Sequence, residues 1–101
     1  QNATLRPVLK MQHELLIAVF RDYMQQKKIP FAKLTRPQQL EQLQQVFYRD
    51  HRFKNLLKGI VLGQFTVEEY AIYLGNSSPL SKRMFALLKE RLTNSLPELS
   101  N

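Results

Sequence analysis

Apolar residues recur every three or four positions along almost the whole chain, and hardly anywhere do they alternate. That period belongs to helices that bury one stripe. Only three glycines occur, and no Asn-Gly or Asp-Gly pair signals a hairpin. The spacing therefore predicts an all-α fold, a compact bundle or orthogonal array of about five short-to-medium helices. With 101 residues, the chain is expected to form one helical domain over 1–92, followed by a tail over 93–101 that either frays or packs back through Leu96 and Leu99. Folding at this length hides roughly 65% of the surface, so a core forms without staples. There is no Cys, which leaves the redox compartment open.

Punctuation sets the expected helices. The first runs from Arg6 or Val8 to Lys28, with Val8, Met11, Leu15, Val19 and Tyr23 as its stripe, widened by Leu16, Phe20 and Met24. Ile29-Pro30 stops it, because the residue before Pro avoids the α region. Thr35 caps the second, with Gln38 as its capping-box partner and Pro37 tolerated in the first turn. Leu40, Leu43, Val46 and Phe47 form its buried side, and the glutamines of Gln38–Gln45 form a polar face. Asp50 is a candidate cap for a third helix that buries Phe53, Leu56, Leu57, Ile60 and Val61. The second and third are equally compatible with one long element. Gly63 suits a left-handed terminator, and Gly59 a close helix approach. Thr66 and Glu69 make a second capping box for a helix ending at Gly75. Ser78 then caps a last helix with Pro79 at its first position, carrying Leu80, Met84, Leu87, Leu88 and Leu92 inward.

Catalytic chemistry has little to stand on. His13 and His51 are the two histidines, and His13-Glu14 lacks the second His of a zinc-protease helix. Asp50-His51 supplies two ligands where a metal site needs three or four. Ser77 and Ser78 lie in no nucleophile elbow. Gly59 and Gly63 lack the Lys-Ser/Thr ending of a phosphate loop. The expectation is a non-enzyme without catalytic residues, metal or cofactor.

Charge says more. Lys plus Arg number 15 against 8 Asp plus Glu, a formal +7. All of it resides in residues 1–60, which carry 11 basic against 4 acidic residues; residues 61–101 carry 4 of each. Around Tyr48 and Phe53, the residues Arg49, His51, Arg52, Lys54 and Lys58 interleave cations with aromatics, and Lys27, Lys28, Lys33 and Arg36 form a second cluster. Such patches attract phosphate polyanions through counterion release, and aromatics among them stack on bases. The functional expectation requires these cations to gather on one surface.

The segment from Phe65 to Phe85 resembles a helix-turn-helix DNA-binding unit. Ala71 stands at the small crossing position, Leu74 just before the turn at Gly75, and Arg83-Met84-Phe85 follow that glycine at an interval similar to the first unit of AraC-type regulators. Asn76 and Ser81 depart from that pattern, where apolar residues are usual. The resemblance implies that the helix from Pro79 enters the major groove, with Lys82 and Arg83 near DNA.

Together these features favour a small basic nucleic-acid-binding or regulatory domain. Arg49, Arg52, Lys54 and Lys58 would contact phosphates, and Lys82 and Arg83 would lie closer to bases. The alternative is a protein-interaction module for an acidic partner, such as an adaptor, chaperone or effector domain, with Tyr70 and Tyr73 as anchors on one helix face. No apolar run approaches the ~18 residues of a membrane span, and no signal-peptide pattern opens the chain, so a cytoplasmic setting is favoured. The chain begins with Gln rather than Met, as expected of a processed or excised product.

Overall fold

The computed structural model describes residues 2–100, with side chains from Thr4 onward. Its elements are α1 (Asn2–Met11), α2 (His13–Gln26), a 3-10 turn (Phe31–Lys33), α3 (Arg36–Arg49), α4 (His51–Leu62), α5 (Val67–Gly75), α6 (Ser77–Thr93) and α7 (Leu96–Leu99). The fold is all-helical, without strands among the described residues. Among the described residues seven helices replace the five expected, because the first divides and the tail adds another.

The division falls at Gln12, whose backbone lies at φ −96°, ψ 12°. The buried stripe runs Leu5, Val8, Leu9 and resumes at Leu16, Ile17, Phe20 and Met24. Gln12 and His13 occupy the positions that would continue it. Polar groups there cannot join an apolar core without partners, and His13 finds its partners in the C-terminal segment. Backbone bonds bridge the bend, from Gln12 to Val8 at 3.0 Å and from Leu16 to Gln12 at 2.9 Å. Met11 and Leu15, expected in the stripe, are 64% and 46% exposed instead. Val8, Leu16, Phe20 and Met24 are buried as expected, so the stripe is centred on its anticipated flank.

Asp50 separates α3 from α4 and serves both. Its carboxylate accepts the Phe53 N–H at 2.9 Å, as an N-cap does. Both capping boxes form: Thr35 with Gln38 ahead of α3, and Thr66 with Glu69 ahead of α5. Three local expectations fail. Gly63 is right-handed rather than left-handed. Gly59 approaches nothing, since a Cβ there would meet open space. Asn76, not Ser78, precedes α6, and it makes no side-chain cap.

Helix α6 is the axis of assembly, packing against α1, α3, α4, α5 and α7. It contributes Met84, Leu87, Leu88 and Leu92 to a core that includes Phe20, Leu43, Leu57 and Val61. Leu56, expected inside, is exposed. Beyond residue 92 the chain takes the second of the two expected courses and packs back. Leu96 and Leu99 are buried, and α7 packs on α2 and α6. His13 receives it: Nε2 lies 2.7 Å from a Glu98 oxygen, and Nδ1 lies 3.0 Å from Arg91 Nη1. A guanidinium only donates, so Nδ1 accepts and the ring proton on Nε2 points to Glu98. Gln39, expected on a polar face, is buried as well; its amide donates to the Phe31 carbonyl and to the Ser100 hydroxyl, each at 2.9 Å. The radius of gyration is 13.9 Å, close to the roughly 13 Å of a compact chain this long. Among the described residues, no helix is long and apolar enough to cross a membrane.

Candidate nucleic-acid interface

The end of α2 builds one wall of a groove. Lys28 adopts φ 58°, its N–H bonds the Gln25 carbonyl, and the Ile29 N–H bonds that of Met24, at 2.9 Å each. This is a Schellman ending with Lys in the place usually held by Gly. It reverses the chain and leaves Lys27 at the rim, its Nζ 5.6 Å from the centre of the Tyr23 ring. The joint between α3 and α4 builds the other wall. An open groove results, lined by Tyr23, Lys27, Arg49, Asp50, His51 and Arg52.

Tyr23 and Asp50 form its floor. The Tyr23 hydroxyl donates to Asp50 Oδ2, and the Tyr23 ring lies against Phe53 with centroids 4.2 Å apart. Burial, then the Asp50 hydrogen bond and charge, push the Tyr23 phenol up to about 12. The Tyr23 hydrogen bond, with the Phe53 N–H and the charge of Lys27, holds Asp50 below the ordinary carboxylate range against the opposing effect of burial. Asp50 is therefore an anion already engaged from within the fold.

The expected cations do not form one surface. Arg52 and Lys54 are two residues apart on α4, hence about 200° around it. Arg52 faces the groove, whereas Lys54 turns to α6 and sets its Nζ 4.6 Å from the Phe85 ring centre. Lys58 joins Lys54 there, 6.0 Å from the same ring. Lys58 also lines an open cavity with Ser77, Ser78, Ser81 and Lys82 at the start of α6. Arg83, next to Lys82, is exposed. Lys33 and Arg36 lie near the opposite end of α3, about 20 Å of helix from Arg49. Among the described residues, no carboxylate stands within ion-pairing distance of Arg49, Arg52, Lys54, Lys58 or Lys82.

Tyr73 is buried, with its hydroxyl 2.6 Å from Ser81 Oγ, so only Tyr70 of the expected pair reaches the surface. Ala71 and Leu74 are exposed, and a single residue, Asn76, separates α5 from α6. Lys27 as a neighbour of Arg52 is the pairing that sequence spacing hid, since the two are 25 residues apart. The charge of both was the only signal available. Among the described residues, no three His, Asp or Glu side chains stand together as a metal site. Neither family models, nor curated proteins, nor solved structures give a match to the chain.

Proposed function

We propose that the protein is a non-enzymatic nucleic-acid-binding domain that holds backbone phosphates in the groove between α2, α3 and α4. One observation carries this reading: Lys27, Arg49 and Arg52 reach a single open groove from three different elements, and the one carboxylate among them, Asp50, is occupied by Tyr23 and the Phe53 N–H. Three cations so held neutralise phosphates and release their counterions. Tyr48, 77% exposed on the last turn of α3 beside Arg49, offers a ring for an unpaired base. Single strands are therefore the favoured form. Lys58 and Lys82 supply a further phosphate contact on the other side of α4. The proposal draws on this groove rather than on the helix-turn-helix spacing of α5 and α6.

The test is a fluorescence titration with single-stranded and duplex oligonucleotides at several salt concentrations. Three phosphate contacts on a single strand give a log–log salt slope of about −2. Replacing Lys27, Arg49 or Arg52 by Gln lowers affinity for every sequence and makes that slope shallower by about 0.7. Absence of binding at low salt, or binding indifferent to salt and to all three replacements, overturns the proposal.

A further inference from the structure

Helix α5 departs from every other long helix in what it shows to solvent. Val67, Tyr70, Ala71 and Leu74 are all exposed, Val67 at 81% and Leu74 at 57%. They follow the spacing i, i+3, i+4, i+7, which gathers them into one stripe. The side toward α6 is already used: Tyr73 is buried there and stacks on Tyr70 with ring centroids 6.1 Å apart, while Ile72, 58% exposed, lies off the stripe. A helix with one covered side ordinarily shows polar residues on the other. Here the outer side is apolar and carries no charge.

We propose that this stripe is a self-association surface on which α5 of a second copy of this chain packs antiparallel, about a two-fold axis between Tyr70 and Ala71. Three features select a second copy. First, the stripe is self-complementary. In that register Val67 faces Leu74 of the second copy, and the large Tyr70 faces the small Ala71, so bulk meets space twice across the axis. An isologous contact demands such matching of a patch with itself. Second, the charge pattern permits approach. Each copy carries +7, yet no Lys or Arg occurs from Gly59 to Ser81. The nearest cations, Lys58 and Lys82, line the cavity on the Tyr73 side of α5, and the stripe itself carries none. Third, the only charges on α5 are Glu68 and Glu69 in its first turn. A parallel pairing would set these against their own copies, whereas the antiparallel one separates them and opposes the helix dipoles. Nine residues span only about 13 Å, so the contact is small and the dimer weak and transient.

Sedimentation equilibrium over a wide range of protein concentration tests the proposal. The expected result is concentration-dependent dimerisation that strengthens with salt, since screening relieves repulsion between two cationic molecules. Leu74→Glu and Val67→Lys each abolish it while circular dichroism shows the fold retained; Tyr48→Ser, at an exposed aromatic elsewhere, leaves it intact. Because the chain has no cysteine, register is read directly. A mixture of Val67→Cys and Leu74→Cys chains forms the mixed disulfide faster than either forms its own. A monomer at every concentration overturns the proposal, as does a dimer indifferent to Leu74→Glu and Val67→Lys. Preferential Val67→Cys self-pairing overturns the antiparallel register. The outcome is independent of the nucleic-acid reading, whose salt dependence has the opposite sign.

Discussion

The Tyr23 hydroxyl donates to the Asp50 carboxylate and so ties the last turns of α2 to the joint between α3 and α4. One carboxylate thereby does two jobs, capping α4 through the Phe53 N–H and receiving the tyrosine. The groove owes its shape to this tie, because Lys27 belongs to one partner's element and Arg49 and Arg52 to the other's.

That tie has a pH signature at each end. The Tyr23 phenol is raised to about 12, so its contribution to stability is complete below the ordinary tyrosine value of 10.0 and is lost as pH climbs from there to about 12. Asp50 is depressed, so its contribution is present above the ordinary carboxylate value and disappears as pH falls below it, through the folded value. Ultraviolet titration of the four tyrosines should show one ionising near 12, absent in Tyr23→Phe. In urea unfolding at neutral pH that variant loses about 1 kcal/mol, a modest figure because the bond is only part-buried.

Gly59 inside α4 and Gly63 just beyond its end differ in a way that stability measurements resolve. Gly59→Ala places its Cβ in open space inside a helix, so the variant gains about 0.5–1 kcal/mol. Gly63→Ala sets the new carbon 3.2 Å from the Gly59 carbonyl oxygen, and this crowding cancels or reverses the gain. Thermal unfolding of the two single variants should order them Gly59→Ala above wild type, with Gly63→Ala at or below it.

Lys28 holds a left-handed conformation, φ 58°, that costs a residue with a Cβ roughly 1 kcal/mol. Lys28→Gly relieves that cost while the Schellman bonds remain. Denaturant unfolding should show stabilisation below about 1 kcal/mol, because Gly also loosens the unfolded chain. A loss of stability would mean that the Lys28 side chain contributes more than its strain removes.

The C-terminal segment is part of the core. Leu96→Ala and Leu99→Ala each remove a buried side chain, with a cost of about 2–5 kcal/mol. A frayed tail would register no change in either. Amide exchange at Leu99 and Ser100, whose N–H groups bond the Ser95 and Leu96 carbonyls, provides a second measure and should show protection.

Much of the fold was legible because helix starts are local events. Thr35 with Gln38, Thr66 with Glu69, and Asp50 each act within three residues, and all three formed. The site was legible only as charge. Arg52 and Lys54 looked like one patch in sequence, yet two residues on a helix point to opposite sides, and they serve different surfaces. Of the first stripe, Val8, Leu16, Phe20 and Met24 are buried as expected, whereas Met11 and Leu15 are exposed and Leu5, Leu9 and Ile17 are buried in addition; periodicity leaves the width and centre of such a stripe open, and only packing against the other helices decides them.

By itself the sequence determined an all-helical chain, the capped starts of α3, α4 and α5 and the concentration of positive charge before Ile60, since propensity, capping and charge need no distant neighbour. Tertiary structure alone decided that Gln12 bends the first helix, that Glu98 and Arg91 meet His13, and that Lys27 joins Arg49 and Arg52 across a groove floored by Tyr23 and Asp50. Those relationships span tens of residues, and local preferences carry no information about which helical face meets which until the core is packed.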